Sequence, residues 1–450
     1  MKSLTKFARG SIGELWAISW PLIITSAANM FMLVGDRVVL MHYSAADFNA
    51  SLGALPWVWT AYFPLLTIVS IANVLVGRFN GTGEYGKIGP TVWQMIWFSL
   101  VLLVPVGIGG WYLAPVLLAD SLRELGVPYL RILLPSVPIS LVIFGALASF
   151  YTGRGKTRFV SIVSIASNLL NLVLDVILVF GIGPFPELGI SGAAIGTVIS
   201  QFVALVLFFV PFLAPKNNGE FRTYAIGLDG RLLRACLRIG TPNGFAGFIN
   251  FALWSLITQV MATNVPPENF TAFGVSQSAF YCLLFIVEGI SLGVGIIVSN
   301  AYGAGDWHGI EKNSRSWIRL SILIFAASFI LMVAYPKPIM AIICRGTDSA
   351  SFDGVLGTMM FLTWIAMAGE SVTYNLRQIL TAFGDTRYTM VVNILFYSGV
   401  VIVPSYFLLH ATHNAASFLC AEAVSHVFML SAYALRFRRW LKFKPLPKEI

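Results

Sequence analysis

Apolar stretches recur along the whole chain and are separated by short polar breaks. A helix of about 20 apolar residues spans the hydrocarbon core of a bilayer, which is about 30 Å thick. The pattern predicts twelve membrane-spanning helices, at residues 15–42, 53–77, 91–118, 128–151, 159–182, 191–214, 235–262, 270–299, 317–336, 355–382, 388–409 and 414–435. The predicted fold class is therefore an all-α integral membrane protein.

The composition supports this prediction. Of the 450 residues, 57% are hydrophobic and 11% are charged, whereas soluble domains carry roughly 25% charged residues. A net charge of +9 would raise the question of nucleic acid in a soluble protein, but here the basic residues concentrate in loops on one side. We therefore expect the lipid bilayer and a small-molecule substrate as partners, no nucleic acid, and a monomeric chain. The basic N-terminus runs into the first span without a small-residue cleavage site, so we expect it to be retained.

The charge distribution also predicts the orientation. If the N-terminus is cytoplasmic, most of the 29 Lys and Arg residues fall on the cytoplasmic side, and an even number of spans keeps that bias. Both termini are therefore predicted to be cytoplasmic, in the cell (inner) membrane. The longest polar break divides the spans into two sets of six. It predicts an N-terminal lobe at 1–214, a cytoplasmic linker at 215–234, a C-terminal lobe at 235–435 and a basic cytoplasmic tail at 436–450.

The two halves resemble each other. Three features match in order, namely GTGEY at 81–85 with GAGDW at 303–307, Pro21 with Pro242, and GKTR at 155–158 with GDTR at 384–387. One matched loop could be chance, but three in order indicate an internal duplication. Because each half holds an even number of helices, the repeats are predicted to run in parallel and to form two pseudo-symmetric six-helix lobes.

Ionisable residues inside the spans are the strongest functional signal, because each costs roughly 2.5 to 3.5 kcal/mol at a helix centre. Asp175 shares a helix face with Asn168 and Asn171, which form a polar stripe at i, i+3 and i+7. Hydrogen bonding between helices is the alternative reading of that stripe. Asp36 lies in the last quarter of the first span, and its alternative is an ion pair with Arg37. Neighbours in sequence point about 100° apart on a helix, which makes that pair geometrically poor.

These groups suit a coupling ion. Na⁺ binds through several oxygens, and a proton needs a carboxylate in a buried setting. Asp36, Asn171 and Asp175 supply such oxygens, and Thr197 on the next helix adds a hydroxyl. The sequence therefore predicts a site for H⁺ or Na⁺, with no cofactor and no structural metal.

The second half carries isolated acids. Glu370 and Glu288 offer similar chemistry without an Asn stripe, and structural pairing is the alternative for both. Glu422 and His426 are spaced i, i+4 on the last span, which favours a local structural pair.

Several segments, taken together, resemble the multidrug and toxic compound extrusion family of transporters. These segments are ISWPLIITSAANMFMLVGDRVVL, NLLNLVLD, GISGAAIGTVIS, NAYGAGD and NLRQILTAFGDTR. They cover nearly the whole chain, and their order and spacing are more specific than any one of them. The resemblance implies a V-shaped pair of six-helix lobes that alternates between inward- and outward-facing states while exchanging a cation for an organic substrate.

The resemblance also implies roles for single residues. Asp36, Asn171, Asp175 and Thr197 match the cation or proton site in the N-terminal lobe of some members. Glu370 matches an acid on the tenth helix that binds cation or substrate. The chain departs from the family at Asn250 and Arg37.

Many members carry an acid on the seventh helix, where the nearest polar group here is Asn250, so the C-lobe cation site looks incomplete. Arg37 stands where a small polar residue is usual and adds a positive charge close to Asp36. Glu370, Glu288 and Asn250 are therefore predicted as a second cation or substrate site.

We predict an ion-coupled secondary antiporter that exports organic, cationic or amphipathic compounds, and not an enzyme. Ion binding at Asp36 and Asp175 would permit the first helix to bend near Pro21. A lipid-linked precursor flippase is one alternative, although such proteins tend to have more spans and an arginine cluster, and only Arg37, Arg131 and Arg377 lie within spans here. A membrane-embedded enzyme or a receptor is the other, and the scattered histidines and the helix count argue against it.

Overall fold

A computed structural model describes residues 4–118, 120–334 and 353–445. The α-helices in these residues are α1 (Ile12–Tyr43), α2 (Ala45–Val69), α3 (Ala72–Thr82), α4 (Ile88–Val101), α5 (Gly109–Leu117), α6 (Arg123–Ser140), α7 (Ala148–Thr152), α8 (Thr157–Phe180), α9 (Gly189–Phe212), α10 (Pro215–Phe221), α11 (Gly230–Asn264), α12 (Pro267–Gly303), α13 (Trp307–Phe329), α14 (Asp353–Ala382), α15 (Thr386–Phe396), α16 (Val403–Thr412) and α17 (Ala416–Phe443). The described residues contain no β-strand.

Some neighbouring helices form one continuous run because π-helical turns join them. These turns are Leu103–Ile108, Leu141–Leu147 and Tyr397–Ile402, and a further π-helical turn, Ile330–Ala334, extends α13. Proline cannot donate a backbone hydrogen bond, and a slipped turn is one way in which a helix accommodates it. Pro105 lies inside the first of these turns, and Pro404 lies just after Tyr397–Ile402.

Eleven helical runs in the described residues are long and apolar enough to cross a membrane. They correspond to eleven of the twelve predicted spans. The remaining predicted span, 235–262, lies within the 35-residue helix α11. The last two residues of the predicted span 317–336 fall outside the described residues, as do residues 446–450 of the predicted tail. The first part of that tail continues helix α17 as far as Phe443.

The chain folds into two compact units, and the first helix of each half contributes to both. One unit contains the described residues of Ile24–Gly244, and the other contains Thr5–Ile23 and the described residues of Phe245–Pro447. The chain passes between units two residues after Pro21 in α1 and two residues after Pro242 in α11. Proline removes a helical hydrogen bond and so weakens a helix locally. Each passage therefore lies next to a position where the helix lacks a hydrogen bond.

Glycine pairs spaced four residues apart allow close helix packing within each unit. In one unit a Cβ on Gly240 or Gly244 of α11 would lie 2.7 Å from a backbone carbonyl oxygen of α2. In the other unit a Cβ on Gly289 of α12 would lie 2.7 Å from the backbone nitrogen of Ile23 in α1. Gly293, one turn further on, faces the side chain of Ser19. Each pair lets two helices approach closely, as small-residue motifs do in membrane helices.

The matched loops of the two halves share a backbone conformation. Gly83 and its counterpart Gly305 have φ of +84° and +68°, and Gly155 and Gly384 have φ of +75° and +76°. Only glycine adopts this left-handed region readily. The duplication inferred from the sequence thus extends to the turns that end and begin equivalent helices.

The segment predicted as a linker packs closely on α4. Trp93 and Trp97 donate their indole N–H groups to the carbonyls of Thr223 and Ile226, at 2.7 and 2.8 Å. Gln94 lies between them and donates to a third linker carbonyl at 3.0 Å. The linker is therefore fixed to the first half by side chains from one face of one helix.

A buried arginine joins the loop after α7 to the linker helix α10. The guanidinium of Arg154 stacks on Phe150 at 3.6 Å and on Phe221 at 4.3 Å, and its Nε donates to the carbonyl of Phe150 at 2.8 Å. Burial lowers the pKa of Arg154 to about 10, so the side chain remains charged at neutral pH. The stacking is therefore a desolvated cation–π contact, the stronger kind.

Candidate functional site

The polar face of α8 lies inside the first unit. Asn171 and Asp175 are fully buried, and Asn171 Nδ2 donates to Asp175 Oδ1 at 3.1 Å. Asn168, one turn earlier, donates instead to Asn29 Oδ1 of α1 at 2.9 Å. The stripe therefore divides into a buried part that contains the acid and an outer part that links two helices.

Helix α9 closes one side of this group. Thr197 Oγ1 accepts from Asn171 Nδ2 at 3.3 Å and donates to the carbonyl of Ala193 at 3.0 Å. Gly196 faces the acid directly, because a Cβ there would lie 2.5 Å from Asp175 Oδ1. The small residues of SGAAIG thus let α9 approach α8 closely enough to bring Thr197 to the acid.

Asp36 reaches the same place from α1. The carboxyl groups of Asp36 and Asp175 are close enough to hydrogen-bond to each other. Within the described residues Asp36 forms no ion pair with Arg37, whose buried Nε has no hydrogen-bond partner. The structure therefore does not show the ion pair with Arg37 that was the alternative interpretation of Asp36.

With both carboxyl groups ionised, and therefore acceptors only, three oxygens of this group are buried without a hydrogen-bond donor. They are Asp36 Oδ1, Asn171 Oδ1 and Asp175 Oδ2. An unsatisfied buried polar atom costs about 1 to 3 kcal/mol, and more when it is charged. Three such acceptors together form a set that a positively charged ligand would satisfy. Among the residues described, no group of three or more His, Cys, Asp and Glu side chains is arranged to hold a metal.

Tyr129 of α6 is a member of this site that the sequence did not indicate. It is buried and lies within electrostatic range of Asp36, Asp175 and Arg37. A tyrosine in an apolar span has no distinguishing spacing, so only the packing of α6 identifies it.

The second unit holds a histidine–glutamate dyad. His426 Nε2 of α17 lies 2.8 Å from Glu370 Oε2 of α14, and His426 Nδ1 lies 2.8 Å from the backbone carbonyl of Glu422. A Cβ on Gly369 would lie 2.5 Å from the Cβ of His426, so this glycine allows the two helices to meet. The His426 partner across the helices is thus Glu370, and its hydrogen bond at i−4 is with the backbone carbonyl of Glu422 and not with the carboxyl group of that residue.

Both contacts of the dyad make demands on its protons. A carbonyl oxygen only accepts, so a hydrogen on Nδ1 of His426 would satisfy the contact with Glu422. A hydrogen on Nε2 or on the Glu370 carboxyl would satisfy the contact between the two side chains at 2.8 Å. The Glu370 side chain is 35% exposed and that of His426 is 8% exposed, so Glu370 is the accessible member.

Of the other residues singled out in the second half, Arg377 and Glu288 lie near Tyr374, whereas Asn250 is hydrogen-bonded to neither acid in the described part of the chain. Arg377 stacks on the ring of Tyr374 at 4.5 Å, and Tyr374 lies within electrostatic range of both Glu370 and Glu288. Asn250 has a buried Oδ1 without a hydrogen-bond partner and makes no hydrogen bond to either acid within the described chain. The structure thus links Glu288 and Glu370 through Tyr374 and leaves Asn250 separate.

Comparison with known proteins decides the family. A family model described as MatE matches residues 21–177 and 245–407, which together make up more than half of the chain. The chain belongs to the MatE family. The resemblance predicted from the sequence is confirmed, and the MatE model matches each half once, as the duplication requires. Asp36, Asn171 and Asp175 fall in the first match, and Glu370 falls in the second.

Relatives of this MatE chain include proteins called probable multidrug resistance protein NorM. The one from Bacillus licheniformis is 25% identical over 407 residues and covers 87% of each chain. The one from Streptococcus pneumoniae is 26% identical over 411 residues and covers 88% of each chain.

Solved structures share the fold. A MATE protein crystallised in a bent conformation matches with a TM-score of 0.84 at 16% identity, over 98% of this chain and 100% of the other. A MOP superfamily transporter from Pyrococcus furiosus, described as having a binding pocket of reverse polarity, matches with a TM-score of 0.85 at 17% identity over the same shares. The predicted fold class is confirmed. Family membership makes the protein a multi-pass membrane transporter and not an enzyme, as predicted.

Proposed function

We propose that this MatE protein is an ion-coupled antiporter that exports organic, cationic or amphipathic compounds. The observation that carries the proposal is the direct contact between the Asp36 and Asp175 carboxyl groups. Its relatives are called multidrug resistance proteins, which supports organic compounds as the substrate class.

Two carboxylates in contact need a positive ligand. At a separation of about 4 Å and an effective dielectric constant of about 20, two like charges repel by about 4 kcal/mol. Asn171 and Thr197 add dipoles but no charge. A bound cation removes the repulsion, so the affinity of the pair for that cation is the energy available for coupling.

A shared proton fits the pair best. Two carboxyl groups hydrogen-bond to each other only when one of them is protonated. Na⁺ is the alternative, and it would be ligated by the partnerless oxygens of Asp36, Asn171 and Asp175, with Thr197 near them. The two ions make different demands on Asn171, because only Na⁺ needs its oxygen as a ligand.

Coupling would act through α1. This helix carries Asp36, and it passes from one compact unit to the other just after Pro21. A cation that fixes Asp36 against Asp175 restrains the part of α1 beyond the proline. Linkage then requires that substrate binding changes the cation affinity by the same factor.

The second-half residues extend the proposal. Glu370 is the accessible acid of the dyad and serves as a further proton or substrate group, with Glu288 beside the same tyrosine. Asn250 is assigned only a supporting polar role, because its partnerless oxygen has no acid in contact. We also propose cytoplasmic termini in the cell membrane, two lobes at 1–214 and 235–435, and a monomer.

The test uses protein reconstituted in liposomes with ethidium as a fluorescent organic cation. A proton gradient and a sodium gradient are imposed separately on the wild type and on the Asp36→Asn, Asp175→Asn double variant. We expect the proton gradient to drive transport in the wild type only. Ion-coupled transport that survives in the double variant would overturn the proposal, and movement of a labelled lipid-linked headgroup instead of ethidium would indicate a flippase.

A further inference from the structure

Helix α13 begins with a basic face that the transport site does not use. His308, Lys312, Arg315 and Arg319 are spaced i, i+4, i+7 and i+11, which places them on one side of the helix over about 16 Å. All four side chains are exposed. They line a cavity of about 630 Å³.

The opposite wall of the cavity is the start of α1, formed by Ser11, Ile12 and Gly13. Ser11 caps this end of α1, because its Oγ accepts from the Glu14 N–H at 3.2 Å. The buried carboxylate of Glu14 behind it lies within electrostatic range of Lys312. Ser316 Oγ of α13 donates to the carbonyl of Gly10 at 2.6 Å, so the two walls are joined. All these residues belong to one compact unit.

The cavity is electropositive. Lys312, Arg315 and Arg319 are permanent cations, and Glu311 is the one acid among the described residues that line it. The Glu311 carboxylate lies 3.4 Å from Lys444 Nζ, so its charge is already shared with another cation. The cavity therefore favours an anion, and its two guanidinium groups suit phosphate oxygens in particular.

Apolar side chains continue from the basic face along both helices. Trp16 lies one turn beyond Ile12 on α1 and is 48% exposed. Ile318 and Ile322 follow Arg315 and Arg319 on α13, and Ile322 is 60% exposed. A free phosphate compound has no use for these surfaces, whereas the acyl chains of a lipid would cover them.

We propose that this cavity binds the headgroup of an anionic phospholipid. Lys312, Arg315 and Arg319 hold the phosphate, and the acyl chains lie along the apolar surfaces of α1 and α13. In the orientation proposed above, the lipid belongs to the cytoplasmic leaflet. Because the cavity is walled by the first turn of α1, the bound lipid links that turn to α13.

The experiment compares two matched triple variants. Lys312→Gln, Arg315→Gln, Arg319→Gln removes the cavity cations. Arg231→Gln, Arg234→Gln, Arg238→Gln removes three exposed cations with the same i, i+3, i+7 spacing at the start of α11. Delipidated full-length protein is titrated with phosphatidylglycerol and, separately, with phosphatidylcholine, and bound lipid is counted by native mass spectrometry. Thermal unfolding in phosphatidylcholine establishes that both variants fold, and the single Arg315→Gln variant replaces the cavity triple if that triple does not.

We expect the cavity variant to lose about tenfold or more in phosphatidylglycerol affinity while the control variant and phosphatidylcholine binding stay unchanged. Equal loss in both triple variants would overturn the proposal, because it would mean nonspecific attraction to the whole basic surface. Glycerol 3-phosphate is added as a competitor. If it displaces the lipid at equal concentration, the site binds a free phosphate compound and the lipid assignment is wrong.

Discussion

Replacing Asn171 with leucine separates the two possible coupling ions. Leucine is close to asparagine in size but removes the amide that donates to Asp175 Oδ1 at 3.1 Å and to Thr197 Oγ1 at 3.3 Å. A hydrogen bond to a charged group contributes about 1.5 to 3 kcal/mol, and it stabilises the carboxylate over the neutral acid. Its loss makes protonation easier by that amount. The proton concentration that half-saturates transport should then fall by about 10- to 100-fold.

Sodium coupling predicts the opposite. Asn171 Oδ1 is one of the buried oxygens without a partner, so leucine would remove a ligand and raise the sodium concentration needed for transport. The assay is ethidium transport in proteoliposomes over a range of pH and, separately, of sodium. Asn168→Leu is the matched control, because Asn168 lies on the same helix and pairs with Asn29 of α1 at 2.9 Å. If the Asn171→Leu and Asn168→Leu profiles coincide, the reasoning is refuted.

Three further predictions follow from single contacts. Gly196→Ala places a Cβ 2.5 Å from Asp175 Oδ1, so it should abolish ion-driven transport in proteoliposomes without lowering the melting temperature. The control is Gly247→Ala, whose Cβ would lie in open space and should change neither transport nor melting temperature. His426→Gln removes the imidazole that contacts Glu370, so the pH profile of transport should change, and an unchanged profile would contradict the dyad. Arg154→Ala should destabilise the protein by about 2 kcal/mol or more through the lost stacking, seen as a lower melting temperature, and an unchanged melting temperature would mean that the stacking contributes nothing.

The spacing of residues predicted much of the site. Asn171 and Asp175 lie four residues apart, which puts them on one helix face whatever surrounds the helix, and the structure finds them hydrogen-bonded. The contact of Asp36 with Asp175 could not be predicted in this way, since it depends on how α1 packs on α8. The same holds for His426, where the i, i+4 spacing suggested Glu422 and the packing of α14 supplies Glu370.

For the fold as well, features set by local sequence could be predicted, and features set by packing between distant residues could not. Apolar run length predicted the spans, because a membrane imposes that length on each helix separately. The polar composition of 215–234 indicated a connection between halves, but it carried no sign that Trp93 and Trp97 bind its carbonyls. Nor does composition reveal that α1 and α11 each contribute to both compact units, because that depends on contacts far apart in sequence.

The most direct test of the central claim observes the carboxyl groups themselves. Infrared difference spectroscopy on the protein in bilayers detects the carbonyl stretch of protonated carboxyl groups as pH is changed, and it needs no substrate. We predict a band that titrates in the wild type and is lost in the Asp36→Asn, Asp175→Asn double variant, with sodium having no effect on it at constant pH. A titrating band that is the same in both proteins would contradict the claim that these two acids share the coupling proton.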